Sequence, residues 1–139
     1  DDLGFPAALQ SLCQDLSERS AIPINLDLDP RLDIDDRDMG IALYRIVQEA
    51  LTNVLRHAHA QHVWVTLHRE EDAAQLSVQD DGVGLTADKR RNGIGLLSMR
   101  ERVLALGGQF DIHNRSVGGT EVLIRWPWAR ATQVPEDAA

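Results

Sequence analysis

Residues 48–58 read QEALTNVLRHA, and three polar side chains in this stretch, Glu49, Asn53 and His57, stand four residues apart. In an α-helix each four-residue step drifts by only about 40°, so the three side chains form one slanting polar stripe. The apolar residues around them keep the spacing of a core-facing helix side: Leu43, Ile46, Val47, Ala50, Leu51 and Val54. A carboxylate, a carboxamide and an imidazole in a row can hold a metal ion and phosphates. An ordinary solvated helix face has the same composition, so the polar stripe alone leaves both interpretations open.

The composition is typical of one soluble globular domain. The 139 residues are 43% hydrophobic and 26% charged, which suffices for one core but not comfortably for two. No run of about 18 apolar residues occurs, and the single cysteine, Cys13, excludes an internal disulfide and fits a reducing compartment. The net charge of −8 argues against direct nucleic-acid binding. Because Asp1 stands where an initiator methionine would, we expect the chain to be a piece of a longer protein.

The remaining sequence predicts alternating helices and strands. Helical spacing over residues 3–20 is followed by a strand at 22–28 and by the long helix, capped by Asp36 or Asp38 and ending near His57. Strands at 62–70 and 74–81 form a hairpin, a helix resumes from residue 96 with Leu97, Val103, Leu104 and Leu106, and a second hairpin closes around 116–119. Strands joined by tight turns are antiparallel. The pattern therefore predicts an α/β (α+β) two-layer sandwich whose mixed, mainly antiparallel sheet has about five strands, with three helices on one face.

Three glycine-containing motifs follow the polar stripe. Asp80-Asp81-Gly82-Val83-Gly84 ends a predicted strand, where a carboxylate can accept a hydrogen bond from an exocyclic amine and glycines admit a flat ring, although a plain Asp-Gly turn also explains it. Gly93-Ile94-Gly95 enters a helix, whose N-terminus suits phosphate, but an isolated GxG is a weak signal. Gly119-Thr120 opens the last strand, where the hydroxyl can support a buried polar group or simply favour β-structure. No single motif decides the function.

In their order and spacing, these motifs resemble the ATP-binding domain of the GHKL superfamily, which has the Bergerat-type fold, and within it that of bacterial two-component sensor histidine kinases. Glu49-x-x-x-Asn53-x-x-Arg56-His57 resembles the N-box, and Gly119-Thr120 resembles the terminal GT element. Asp80-x-Gly82-x-Gly84 and Gly93-Ile94-Gly95-Leu96 resemble the two glycine boxes. Residues 96–102, LLSMRER, look like the branch that pairs with NarL-type response regulators. The resemblance covers about residues 1–127.

This resemblance implies ATP and Mg²⁺ as cofactors. Asn53 would coordinate Mg²⁺ as a hard oxygen ligand, while Arg56 and His57 would contact phosphates. Asp80 would bind the adenine amino group, with Thr120 supporting it through water. The remaining positions carried over, which would shape the pocket and its lid, are Gly82, Gly84, Gly93, Gly95 and Leu96.

Two features of the resemblance leave roles open. Glu49 matches the carboxylate that activates water in the superfamily's ATPases, but the nucleophile of a histidine kinase is an imidazole, so its catalytic role is undecided. The lid at residues 85–92 is short, and its basic residues, Lys89, Arg90 and Arg91, either contact phosphates or are a solvated charge run.

The implied function is donation of the γ-phosphoryl group of ATP to a histidine on a dimerisation domain, for relay to a NarL-type response regulator. The first histidine, His57, lies inside the N-box, so we expect the phosphoacceptor upstream of this chain. Residues 1–20 are then the junction helix packed on the catalytic domain at 21–127, and 128–139 a disordered tail. We expect a monomeric fragment that binds ATP·Mg²⁺ without autophosphorylating, from the cytoplasmic part of a homodimeric sensor that is either membrane-bound or free of the membrane.

Three other functions use related chemistry. An anti-sigma type protein-serine kinase shares the ATP-binding fold, and an ATP-driven clamp of the gyrase or MutL kind would use Glu49 as a general base. A non-enzymatic interaction module with a decayed site is the third. The junction helix and the LLSMRER stretch disfavour the first, the short lid the second, and the intact motifs the third.

Overall fold

A computed structural model describes residues 4–57, 59–84 and 94–128. Its elements follow in the order α1 (Gly4–Ser20), β1 (Ile24–Leu28), α2 (Arg37–His57), β2 (Val63–Arg69), β3 (Ala73–Asp80), α3 (Ile94–Ala105), β4 (Gln109–Asn114) and β5 (Thr120–Pro127). The predicted order of helices and strands is confirmed. The predicted lid at 85–92, Gly93 and residues 129–139 of the predicted tail lie outside the described residues.

The five strands form one sheet in the order β1-β2-β3-β5-β4. β1 and β2 are parallel and are joined by a crossover through α2, whereas the other three neighbouring pairs are antiparallel. Both predicted hairpins are present, β2 with β3 and β4 with β5. The mixed, mainly antiparallel sheet is therefore confirmed.

The core lies between the helices and one face of the sheet. Alternate residues of β2, namely Val63, Val65 and Leu67, are buried, and their partners on β3 continue this face. α1 packs against β1 and α2, while α2 also packs against β3 and α3. Within the described ranges no helix covers the opposite face, which we call the open face of the sheet. None of the helices in those ranges is long and apolar enough to span a membrane.

The start of α2 is fixed by Asp36, one of the two predicted caps. Its Oδ1 accepts a hydrogen bond from the backbone N–H of Met39 at 3.1 Å, so one of the unpaired donors of the first helical turn is satisfied. Asp38 lies within the first turn instead. Pro6 stands in the first turn of α1, as a residue without an N–H requires.

Two expectations need correction. In α3 the buried side chains are Leu96, Met99 and Val103, whereas Leu97 and Leu104 are 60% and 66% exposed, so the predicted apolar side of this helix was only partly right. The helical spacing predicted that a helix forms here, but a short apolar run does not determine which side of that helix is buried. Trp128, the first residue of the predicted tail, is held on the domain, because its N–H donates to the Asp72 carbonyl at 3.0 Å and its ring packs on the core.

Candidate functional site

Asp80 is the last residue of β3, and its side chain points to the helix-covered face with the buried Val78 and Leu76. The residue is 1% exposed. Oδ1 accepts a hydrogen bond from the backbone N–H of Gly82 at 2.8 Å. Oδ2 is buried and has no hydrogen-bond partner among the described residues. Leaving a buried acceptor unpaired costs about 1–3 kcal/mol, so this oxygen marks a position where a ligand N–H fits.

The electrostatics of Asp80 reflect its burial. Desolvation raises the pKa of its carboxyl above the ordinary range, and the N–H groups of Gly82 and Thr120 oppose this by favouring the charged form. The charge of Asp81 raises this pKa further, whereas that of Arg115 lowers it. In such a dry setting a neutral N–H donor is bound more strongly than it would be in water.

The hairpin between β4 and β5 closes over the backbone of Asp80. Gly119 has a φ of +89°, and a Cβ added there would lie 1.9 Å from the Asp80 carbonyl oxygen. Only glycine permits this approach. The next residue, Thr120, is buried, and its N–H lowers the pKa of the Asp80 carboxyl by favouring the charged form. The structure thus brings together three of the predicted site residues, Asp80, Gly82 and Thr120.

Gly84, the last residue of the first glycine box, returns to the end of β4. A Cβ added there would lie 2.8 Å from Oδ1 of Asn114. The box is therefore fitted closely against the β4–β5 hairpin at both Gly84 and Asp80.

Asp81 turns away from Asp80 and fixes the start of β2. Its Oδ1 accepts hydrogen bonds from the backbone N–H groups of Gln61 and His62 at 2.8 and 2.9 Å, and its Oδ2 lies 3.1 Å from Nδ1 of His62. Its slight burial raises the pKa of this carboxyl, but the N–H groups of His62 and Gln61 outweigh that effect and leave the pKa lowered. The two adjacent carboxylates therefore have opposite environments: the pKa of the buried Asp80 is raised, whereas that of Asp81, which binds the start of β2, is lowered.

The polar stripe lies on α2, the helix that packs against β3 and α3. Glu49 and Asn53 are half-buried and Arg56 is exposed, while the side chain of His57 lies outside the described part. Within that part, the side chains of Glu49 and Asn53 have no hydrogen-bond or ion-pair partner. Their polar groups are therefore available to a ligand.

The second glycine box leads into α3. Gly95 lies in the first turn and Leu96 is buried in the core, so only the backbone of Leu96 can face a ligand. Gly93 lies outside the described residues. Among the residues that are described, no three His, Cys, Asp or Glu side chains are grouped to hold a metal ion.

Residues 39–130 match the protein family described as histidine kinase-, DNA gyrase B- and HSP90-like ATPases. The chain belongs to this ATPase family. Membership implies ATP binding and confirms the resemblance that the motifs predicted.

The similar proteins include sensor kinases. The sensor histidine kinase MctS of Rhizobium johnstonii is 37% identical over 124 residues, which cover 86% of this chain and 27% of the relative. The nitrate/nitrite sensor protein NarX of Escherichia coli is 36% identical over 124 residues, which cover 87% of this chain and 20% of NarX. This ATPase-family chain thus spans about a fifth to a quarter of the length of these relatives.

A solved structure shows the same fold. The histidine kinase domain from the Erythrobacter litoralis EL346 blue-light activated histidine kinase has a TM-score of 0.76 at 24% identity, with 96% of this chain and 65% of that chain covered. The open five-stranded mixed sheet with three helices on one face confirms the predicted Bergerat-type fold of this ATPase-family domain.

The sequence did not predict the residues that position the Asp80–Asp81 segment. Asp81 was read only as part of a motif, and Arg115 and Trp64 were not singled out at all. Arg115 donates from Nη1 to the Asp80 carbonyl at 2.7 Å, and its guanidinium lies 5.2 Å from the ring centroid of Trp64. No periodicity or motif links residues 64, 80 and 115, because only the sheet order brings them together.

Proposed function

We propose that this chain is the ATP-binding catalytic domain of a sensor histidine kinase. It donates the γ-phosphoryl group of ATP to a histidine on a dimerisation domain of the longer protein, for relay to a NarL-type response regulator. The observation that carries the proposal is the buried Asp80 carboxylate, whose Oδ2 is paired with none of the described residues, in a domain of this ATPase family. Similarity to MctS, which is named a sensor histidine kinase, and to NarX, which is named a nitrate/nitrite sensor protein, supports the assignment to a sensor kinase.

At the adenine end, Asp80 accepts a hydrogen bond from the exocyclic amino group through Oδ2. Its Oδ1 is already occupied by the Gly82 N–H, so the second oxygen is the one left for the base. The buried Thr120 supports this contact through water. A hydrogen bond to a charged acceptor contributes about 1.5–3 kcal/mol, which corresponds to about 10- to 150-fold in affinity.

At the phosphate end, Asn53 would hold Mg²⁺ through its carboxamide oxygen, and Arg56 and His57 would contact the phosphates. Mg²⁺ held there would supply positive charge against the charge that develops on the transferring phosphoryl group. The backbone of Gly95 and Leu96, at the start of α3, would face the phosphates, and Gly93 would contribute to the same pocket. These groups act by position and charge, and the nucleophile comes from a separate domain.

Glu49 is the remaining member of the polar stripe and is the candidate catalytic carboxylate. Its half-buried side chain has no partner within the described ranges, so it is free to orient an incoming imidazole or a water. Glu49→Gln distinguishes these roles. Glutamine cannot take a proton from water, so a general base would be lost, but its side-chain oxygen still accepts a hydrogen bond and could orient an imidazole.

The longer protein acts as a homodimer whose catalytic domains face the cytoplasm. The fragment itself is a monomer that binds nucleotide and does not phosphorylate itself. Incubation of this chain with γ-labelled ATP should leave no acid-labile label, whereas the protein extended upstream through its phosphoacceptor histidine should acquire it. Acid-labile label on this chain alone would contradict the proposal that the phosphoacceptor histidine lies on a separate domain.

The nucleotide site is tested by calorimetric titration of the chain with ATP in the presence and absence of Mg²⁺. Asp80→Asn should weaken ATP at least about tenfold in both conditions, because it removes the charged acceptor. Asn53→Ala should weaken ATP mainly when Mg²⁺ is present. Asn25→Ala, on the exposed face of β1, is the matched control and should leave both affinities unchanged. An Asp80→Asn variant that binds ATP normally would refute the base contact.

A further inference from the structure

Trp64 lies on the open face of the sheet, directly behind Asp80. In the β2–β3 register Val63 pairs with Asp80 and is buried on the helix side, so the next residue, Trp64, points to the opposite face. A nucleotide bound at the Asp80 carboxylate lies on the helix side of the sheet. Trp64 is therefore separated from it by the sheet itself.

Two side chains that stack on Trp64 also hold the dipeptide Asp80–Asp81. The His62 ring is stacked 5.9 Å from the Trp64 ring at an angle of 20°, and it contacts the Asp81 carboxylate. The Arg115 guanidinium lies 5.2 Å from the Trp64 ring and donates to the Asp80 carbonyl at 2.7 Å. A guanidinium stacked on an indole ring gains cation–π attraction, and because the group is planar and preorganised, it loses little conformational entropy when it donates a hydrogen bond. His62 and Arg115, which contact Asp81 and Asp80, therefore stack on the same indole ring.

We propose that Arg115, seated on Trp64, is a positioning residue that aims the Asp80 carboxylate at the adenine amino group. It fixes the peptide plane that follows Asp80, while Asp81 is fixed through Gln61 and His62. Because Oδ1 is bound to the N–H of Gly82, two residues along the same backbone, the direction of Oδ2 depends on how this short segment is held. An error of about 1 Å in such a contact can cost up to about 100-fold.

This inference rests on the proposed adenine contact, and inosine triphosphate separates the two. ITP carries a carbonyl where ATP has the amino group, so it has no exocyclic N–H to donate to Asp80 and a wild-type site should prefer ATP. The ratio of the two dissociation constants therefore reports the aim of Asp80, whereas damage to the fold lowers both affinities together. Each variant is measured by calorimetry, with its melting temperature recorded in parallel.

Arg115→Gln removes the charge and the planar stacking while keeping a polar side chain. It should reduce the ATP/ITP preference by about three- to tenfold, through weaker ATP binding and nearly unchanged ITP binding. Arg115→Lys retains a charged donor and should recover most of the preference, and Trp64→Phe, which keeps an aromatic face, should stay close to wild type. Arg125→Gln is the matched control, since Arg125 pairs with Glu70 at the far end of β5 and should not alter the preference.

The possible results distinguish the positioning role of Arg115 from the adenine contact of Asp80 on which it rests. Should Arg115→Gln keep the wild-type preference, or weaken ATP and ITP equally, the positioning role is wrong while the adenine contact stands. Should the wild-type chain bind ATP and ITP equally, the adenine contact fails and the positioning role with it. In the Asp80→Asn background Arg115→Gln should have no further effect on the preference. If Arg115→Gln does not fold, Trp64→Leu replaces it and should lower the preference in the same way, and an unchanged preference there would overturn the proposal.

Discussion

Replacing Gly119 by alanine tests the contact that closes the hairpin over the site. A Cβ at this position would lie 1.9 Å from the Asp80 carbonyl oxygen, 2.7 Å from its carbonyl carbon and 2.9 Å from the Cα of Asp81. All three are backbone atoms, so no flexible side chain can move aside. Asp80 and the start of β5 must therefore separate to admit the methyl group.

The expected loss of stability has two parts. The φ of +89° at Gly119 costs an alanine about 1–2 kcal/mol, and forcing a methyl group into a filled space typically costs about 1–3 kcal/mol more. The total is about 2–5 kcal/mol. For a chain of 139 residues the unfolding entropy corresponds to about 3.5 °C per kcal/mol. Gly119→Ala should therefore lower the melting temperature by about 7–17 °C and weaken ATP by tenfold or more, because Asp80 is displaced.

Gly118→Ala is the matched control for this substitution. Its φ is +107°, but an added Cβ meets no atom within 4 Å, so it shares the conformational cost without the collision. It should lower the melting temperature by about 3–7 °C and leave ATP affinity unchanged. Calorimetric unfolding and ATP titration on both variants measure the difference. Equal losses of stability, or an unchanged ATP affinity for Gly119→Ala, would refute the argument that Gly119 is retained for its approach to Asp80.

Two further substitutions separate stability from binding. Because burial raises the pKa of Asp80 above its ordinary 3.8, the native state keeps its proton to higher pH than the unfolded chain, and Asp80 destabilises the fold increasingly as pH rises through that interval. Asp80→Asn should therefore melt higher than wild type at pH 7, with the difference shrinking toward pH 3; a lower melting temperature at pH 7 would contradict this. Asp36→Ala should cost about 1 kcal/mol, or about 3.5 °C, through the lost cap of α2, with no change in ATP affinity. Asp35→Ala, exposed and one residue earlier, is its control and should melt as wild type does.

The fold could be predicted from the sequence because the patterns that indicate its helices, strands and turns are local. Alternation in β2 and the apolar side of α2 both depend on neighbours within one element, and tight turns dictated antiparallel pairing. The rotation of α3 was less determined: Leu97 and Leu104 satisfied a helical spacing, but the sheet is covered by Leu96, Met99 and Val103. Which apolar side of a short helix is buried is decided by the partner surface, which the pattern does not contain.

The site was predictable in its ligand-facing residues and not in their supports. Asp80 belongs to a motif whose order was readable along the chain. Arg115, in the turn between β4 and β5, reaches the Asp80 carbonyl, and Trp64 of β2 reaches Arg115, only because β5 and β2 both flank β3. The sequence also could not show that Oδ2 is buried without a partner among the described residues, since this depends on the folded surroundings of Asp80. Side chains that hold a site together from outside leave no spacing signal of their own.

The two ends of the proposed site differ in how far they are organised before nucleotide binds. At the adenine end, Asp80 is held by Gly82, Gly119 and Arg115, so its carboxylate has little freedom left to lose. At the phosphate end, Glu49 and Asn53 are half-buried and have no hydrogen-bond or ion-pair partner within the described ranges. A contact far from the reacting phosphoryl group acts equally on the ground state and the transition state, so changes at Asp80 should alter KM in the complete kinase. Changes in the polar stripe act where charge develops and should alter kcat.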